Sequence, residues 1–177
     1  PGRLLAFHLG NGASICAIKS GQSVATTMGY SPLEGLTMGT RSGSIDAGAV
    51  LRMAREIGVN ETLEVLNKNS GLLALSGGVS DMARLLKTDS VNARFAIEHF
   101  CYWAARHAGS VIAAMGGVDA FAFTGGIGEN AAPIRDRIST LLNWTGVGAK
   151  NIYVIPAAEE RQIAQNALTC AAFQGGI

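Results

Sequence analysis

The sequence predicts an α/β domain built on a mixed sheet, and three observations lead there. Strand-like segments open the chain, a block of helical periodicity follows, and the chain then alternates strand, helix, strand, helix. Two of the opening strands are joined by a connection of hairpin length, which makes them antiparallel. The closing alternation favours parallel strands, so one sheet containing both is mixed. With 177 residues the chain can bury one sizeable core, and we read residues 1–177 as a single domain.

Residues 4–9, 13–19 and 23–28 carry the first strand patterns, with Ser20-Gly21-Gln22 as the hairpin signal. A loop rich in Gly, Ser and Thr occupies 29–44. Asp46 is placed to cap a helix through Ala49, Val50, Met53 and Ala54 that stops before Gly58. Asn60 is the expected cap of a short helix reaching Leu66, and 70–78 reads as a turn-rich connector. Ser80 or Asp81 opens a helix to Leu86, and Ser90 opens the longest one, stopped after Met115 by Gly116-Gly117. That helix is apolar around most of its circumference, which suits a central or interfacial place. A strand at 118–123 runs into Thr124-Gly125-Gly126-Ile127-Gly128-Glu129-Asn130, and Pro133 fits the first turn of the next helix, ending near Asn143. A strand at 152–155, ended by Pro156, and a helix at 158–173 complete the chain.

Composition excludes several classes of function. Hydrophobic residues make up 48% and charged ones 15%, and the 23 glycines are dispersed between periodic segments rather than gathered in low-complexity tracts. The formal charge is +1, with basic residues scattered and no interleaving of aromatics with Lys or Arg, so a nucleic-acid face is not expected. Cys16, Cys101 and Cys170 are far apart and lack metal-ligand spacing, which predicts reduced thiols and a cytoplasmic setting rather than a disulfide or zinc site. The most apolar long stretch, 95–115, is interrupted by Glu98, His99, Arg106 and His107, which argues against a membrane span. The first ten residues have no signal-peptide pattern, and the chain, opening on Pro1, reads as the back part of something longer.

Four segments could carry chemistry. In His8-Leu9-Gly10-Asn11-Gly12, glycine amides could receive an oxyanion, with the Asn11 amide and His8 imidazole adding donors. An ordinary Asn-Gly hairpin turn with His8 packed in the core explains the same residues. Arg41, among small polar residues before a helix, suits charge spread over phosphoryl oxygens, and equally suits a pair with Asp46. Residues 123–130 run from strand to Gly-rich turn to helix, an arrangement that binds nucleotides through backbone amides. They match neither a P-loop nor a complete GxGxxG. Glu159 and Glu160 complement a helix dipole, and either could also meet Mg²⁺ through water.

Together, "HLGNGAS", "MGYSPLEGLTMGTRSGSIDAG", "NKNSGLLALSGG", "FTGGIGENA" and "VIPAAEE" resemble the acetate and propionate kinases, the acetokinase family, in order and approximate spacing. The resemblance spans nearly the whole chain and covers the family's C-terminal half. It implies an actin-like (sugar kinase/Hsp70/actin, RNase H-like) ATPase fold and transfer of the ATP γ-phosphoryl group to a short carboxylate with Mg²⁺. It also implies a homodimer paired through this half. By motif, His8, Leu9, Gly10, Asn11 and Gly12 correspond to the loop around the nucleotide phosphates. Arg41 corresponds to the active-site arginine. Gly126, Ile127, Gly128, Glu129 and Asn130 correspond to the adenosine-side loop, and Glu159 to the Mg²⁺ site. Asp81, Met82 and Ala83 stand where the family has an Asp-x-Arg nucleotide contact, but here Arg84 comes one place late. Ala47 and Ala74 replace a frequent proline and glycine, and Asn11 distinguishes the chain from butyrate kinases. The N-terminal half's metal-binding asparagine, substrate arginine, catalytic aspartate and histidine have no match here. Acetate kinase is the expected activity. A propionate kinase, or a non-catalytic nucleotide-binding or dimerisation module, are the alternatives.

Overall fold

The structure is a computed structural model that describes residues 1–174, with side chains described as far as Leu168. Five strands, β1 (Arg3–Leu9), β2 (Ala13–Lys19), β3 (Gln22–Thr26), β4 (Ala120–Thr124) and β5 (Ile152–Val154), form one sheet in the order β3-β2-β1-β4-β5. The β3-β2-β1 side is antiparallel, whereas β1, β4 and β5 are parallel, so the expected mixed sheet is present.

Alternation along β1 decides which residues enter the core. Leu5, Phe7 and Leu9 are buried on one face while Leu4, Ala6 and His8 point to the other. Phe7 stacks on Phe123 of β4 with ring centroids 4.7 Å apart and meets Phe121 edge-on at 5.8 Å, which joins the two central strands by aromatic packing. Arg3 and Asp119 fasten the other end of the same pair. The Asp119 carboxylate accepts from the Arg3 backbone N–H at 2.8 Å and from its guanidinium at 2.6 Å.

Among the described residues, eight α-helices accompany the sheet: α1 (Ala47–Ile57), α2 (Val59–Lys68), α3 (Gly71–Ser76), α4 (Met82–Leu85), α5 (Val91–Met115), α6 (Gly125–Asn130), α7 (Ala132–Leu141) and α8 (Glu159–Gln174). The 25-residue α5 is the central one, as its apolar pattern predicts, and Ala96, Phe100, Ala104 and Ala108 pack it into the core. Its ends follow the sequence signals: the Ser90 hydroxyl accepts from Ala93 N–H, and Gly116 takes the left-handed cap. Asp46 caps α1 and Asp81 caps α4, through Ala49 and Arg84 N–H respectively.

Three expectations require correction. Asn60 is not a cap. Gly58 ends α1 and also begins α2, so Asn60 lies inside the first turn of α2. Residues 70–78 are not merely a connector, because Leu72 is buried and 71–76 coil into α3 around it. The glycine-rich segment after β4 is not an open loop but the helix α6 itself. Gly125 makes that abrupt change possible at φ 79°, where a Cβ would lie 2.7 Å from the Leu9 carbonyl oxygen. Cys16 and Cys101 are free thiols, Cys101 buried and Cys16 half-buried; the Cys170 side chain lies outside the described residues.

Candidate active site

The parallel pairing of β1 with β4 ends at His8 opposite Thr124, so the segments that follow both strands emerge together. This is where α/β sheets present ligand sites, beyond the carboxyl ends of adjacent strands. A cleft of about 500 Å³ opens there between Gly10-Asn11, residues 80–83 with Leu86, and Gly126, Ile127, Asn130 and Ala131. Met82, Ala83, Leu86, Ile127 and Ala131 give it apolar walls, while Gly10 and Gly126 bring backbone to its floor. Such a lining suits a ligand with one flat apolar part and one anionic part.

A second recess of about 530 Å³ adjoins it, lined by Asn11, Thr40, Arg41, Asn60, Leu63, Glu64, Asn67 and Lys68. Asn11 borders both. The Arg41 guanidinium stands near this shared wall, with Nη1 3.7 Å from where a Gly12 Cβ would be, and its partners are weak: the Pro32 carbonyl at 3.5 Å and Met38 sulfur at 3.9 Å. No pairing with Asp46 holds it, because Asp46 caps α1 instead. An arginine with most of its donors unspent, facing a recess, is free to bind an oxyanion.

The Arg41 loop is set by backbone bonds to elements distant in sequence. Gly39 N–H donates to Asn11 O at 3.1 Å, Ser42 N–H to Leu66 O at 3.0 Å, and Ser70 N–H to Thr40 O at 2.9 Å. Leu72 and Leu73 N–H reach Met38 and Gly39 oxygens, both at 2.9 Å. Gly71 lies under this crossing at φ 60°, and a Cβ there would overlap the Met38 carbonyl oxygen and come 2.7 Å from that of Arg41. Ser70 and Gly71 thus hold the backbone of the Arg41 loop, a contact that spacing alone does not reveal.

A model of the acetokinase family matches residues 2–168. The chain belongs to the acetokinase family. The acetate kinase of Nitrobacter hamburgensis is 42% identical over 188 residues, covering 95% of this chain and 46% of the relative. That of Caldicellulosiruptor bescii is 47% identical over 150 residues, 82% of this chain and 38% of its own. Among solved structures, acetate kinase from Porphyromonas gingivalis superposes with a TM-score of 0.87 at 34% identity, over 95% of this chain and 49% of that one. A propionate kinase from Francisella tularensis gives 0.83 at 40% identity, over 92% and 48%. The chain spans about half the length of these relatives. The actin-like ATPase fold expected from the motifs stands, with its mixed sheet.

In this acetokinase domain the cleft collects Gly10, Asn11, Asp81, Met82, Ala83, Gly126, Ile127 and Asn130 of the expected nucleotide residues. The others serve around it. Leu9 is fully buried, and Gly128 packs beneath it. Glu129 is engaged internally: one carboxylate oxygen accepts from Gly125 N–H at 3.0 Å and from Ala157 N–H at 2.9 Å. The first amide of α6 is thus already occupied, and the Gly10 N–H is likewise spent, on the Gly12 carbonyl at 3.0 Å. These two amides are not the open anion donors that the glycine pattern suggested. Asp81 enters as the α4 cap, and Arg84 is not among the lining residues.

His8 is not a packed core histidine. Its side chain is 39% exposed on the face of β1 opposite Phe7, and Nε2 lies 3.6 Å from the Glu159 carboxylate. The two border a third recess of about 460 Å³ with Gly125, Gly126, Ala157, Ala158, Glu160 and Arg161. Gly126 lines both it and the first cleft, as Asn11 lines both the first cleft and the Arg41 recess, so the three adjoin along one side of the sheet's end. Glu129, bonded to Ala157, ties the segment leading to Glu159 against this recess. Ser80 and Leu86, which the sequence marks only as helix bounds, line the cleft as well.

Proposed function

We propose that this chain is the nucleotide-binding half of an acetokinase that reversibly transfers the γ-phosphoryl group of ATP to acetate, giving acetyl phosphate and ADP. One observation carries the reading: Asn11 is a wall common to an apolar-sided cleft suited to a nucleoside and a recess that holds an underused arginine. A nucleoside seated against Met82, Ala83, Leu86 and Ile127 would direct its phosphates along Gly10 and Asn11 toward Arg41.

In the reaction a carboxylate oxygen attacks the γ-phosphorus, and the bond to the β,γ-bridging oxygen breaks, its electrons leaving with ADP. Arg41 remains charged throughout, and its donors can follow the equatorial oxygens of the transferring group. In this reading the facing wall of the groove would come from the half of the relatives' length that this chain does not span.

Mg²⁺ fits the groove through Glu159. Among the described residues no cluster of three or more His, Cys, Asp or Glu could hold a metal, so a protein cage is absent. The Glu159 carboxylate, 71% exposed beside His8, suits the Mg²⁺ habit of using one or two carboxylates with waters and substrate phosphates. When bound, the ion would supply charge neutralisation at the phosphate oxygens. Glu129 and the Ala157 amide would keep Glu159 facing the groove.

The reading includes a homodimer paired through this domain, a cytoplasmic setting, and neither nucleic acid nor membrane as partner. Exposed Phe95 and Tyr102 on α5 support the first, and no described helix is long and apolar enough to cross a membrane. Propionate is the second acceptor to consider, favoured by the Francisella structure at 40% identity. An acyl-hydroxamate assay of the parent enzyme with acetate and with propionate tests both; ATP-dependent product from neither carboxylate would leave only a binding or dimerisation module. Alone, the chain is expected to bind ADP weakly and to turn over little.

A further inference from the structure

The backbone bonds that seat Arg41 leave one side of its loop, and α5 closes that side with polar groups. Thr37 is 5% exposed, and its hydroxyl lies 3.0 Å from Nε2 of His99, 62 residues further along the chain. Two turns further along α5, the His107 ring is influenced by the Gly35 backbone and the Glu34 carboxylate, and its Nε2 is buried without a partner. Trp103 stands between the two histidines, with ring centroids 5.9 Å from His99 and 5.8 Å from His107, and Arg106 lies over its ring. The buried α5 residues are all apolar: Ala, Phe, Cys, Val, Ile and Met. Packing alone would continue that pattern beneath the loop. A histidine supplies instead a directional bond, and Thr37 is four residues before Arg41 with Leu36 and Met38 buried on either side.

We infer that His99 is a positioning residue for Arg41, fixing through the Thr37 hydroxyl the direction from which the guanidinium meets the transferring phosphoryl group. The inference rests on the phosphoryl-transfer reading of Arg41. His99 touches neither ligand nor reacting atoms. It acts by removing one rotation of a loop whose tip has to be accurate, and a misplacement near 1 Å can cost about a hundredfold in rate.

Four variants of the full chain, labelled with nitrogen-15, test this: His99→Leu, His99→Gln, Thr37→Val and Thr37→Ser. Gln can offer a hydrogen-bonding atom near the position of Nε2, and Ser keeps the hydroxyl. The expected result is that His99→Leu and Thr37→Val shift or broaden the amide signals of residues 37–42 and the Arg41 side-chain N–H. Signals of Gly126 and Asn130 and the affinity for ADP stay within about twofold. His99→Gln and Thr37→Ser restore the loop. In the parent enzyme the disruptive pair lowers kcat about tenfold or more with little change in nucleotide KM. An unmoved loop in His99→Leu, a Gln variant as perturbed as the Leu one, or changes spread evenly through the fold would each overturn the inference. If His99→Leu does not fold, the Thr37 pair answers the same question from the loop. The signals report on Arg41 whether or not phosphate is transferred, so unchanged turnover in Arg41→Ala would sink the kinase reading alone.

Discussion

His8 on β1 and Thr124 on β4 stand side by side in parallel register, and this pairing brings two glycine-rich segments more than a hundred residues apart into one cleft. A Cβ placed on Gly10 would lie 3.9 Å from the Gly126 amide nitrogen, so the segments almost touch. The groove is therefore a consequence of strand order, and its residues can be altered one wall at a time.

Ala83 is exposed on α4 and faces the cleft from the side opposite Ile127. A Trp at this position fills space without disturbing the core. Isothermal titration of Ala83→Trp with ADP should show at least about tenfold weaker binding, at an unchanged melting temperature. Equal affinity would move the nucleotide elsewhere.

Arg41 has weak internal partners, so its removal should not unfold the domain. In the parent enzyme Arg41→Ala should lower kcat by about 10³-fold or more while ADP affinity changes little. Arg41→Lys should recover only a small part, because an ammonium cannot reproduce the planar fork.

Gly71 combines φ 60° with carbonyl oxygens where its Cβ would go. Gly71→Ala should destabilise the domain by about 1–3 kcal/mol in urea unfolding. Activity should fall further than stability explains, because the Met38 and Arg41 carbonyls have to move. Gly146, also at positive φ but with open space around it, is the control: Gly146→Ala should cost about 1 kcal/mol and leave activity intact.

Burial pushes the His99 and His107 imidazoles below the ordinary 6.5, and for His107 the nearby Arg106 adds to this while Glu34 and the Gly35 backbone oppose it. Both rings are thus neutral in the folded protein at neutral pH, and the unfolded chain takes up their protons more readily. Stability from this source is complete above the ordinary value and is lost as pH falls through the lower folded ones. Melting temperatures measured from about pH 7.5 down to about pH 5 should decline, and less steeply in His99→Gln. Identical slopes would remove His99 from the explanation.

Burial, with the Glu98 carboxylate adding to it, pushes the Cys101 thiol up to about 12. Only a thiolate attacks alkylating reagents, so iodoacetamide should leave Cys101 unmodified in the native protein near neutral pH. Peptide mapping should find it labelled once the chain is unfolded in denaturant. Labelling at equal rates in both states would show that the α5 core opens locally.

Much of the fold was legible before the structure. Strand-like runs at 4–9 and 13–19, with the hairpin signal at 20–22, announced β1 and β2, Ser90 and Gly116 announced both ends of α5, Asp46 announced the cap of α1, and of Ser80 and Asp81 it is Asp81 that caps α4. These signals are local, so a short window of chain contains them. Local signals fail where one residue does two jobs or where a distant contact overrides propensity. Gly58 serves two helices, and Leu72 finds the core only because 71–76 coil.

The motifs by themselves determined the family and pointed to the residues proposed for the site, His8 through Gly12, Arg41, residues 126–130 and Glu159. They also suggested open amides at Gly10 and Gly12 and in the turn at 123–130, and only the tertiary structure shows that those of Gly10 and Gly125 are engaged. Whether an N–H is free depends on where another segment delivers an acceptor: here the Gly12 carbonyl turns back on Gly10, and Glu129 reaches Gly125. The same reasoning applies to Arg41. Its charge is a property of the sequence, but its direction is set by Asn11, Leu66, Ser70 and Leu72, and by His99 through Thr37, all partners that only folding brings near.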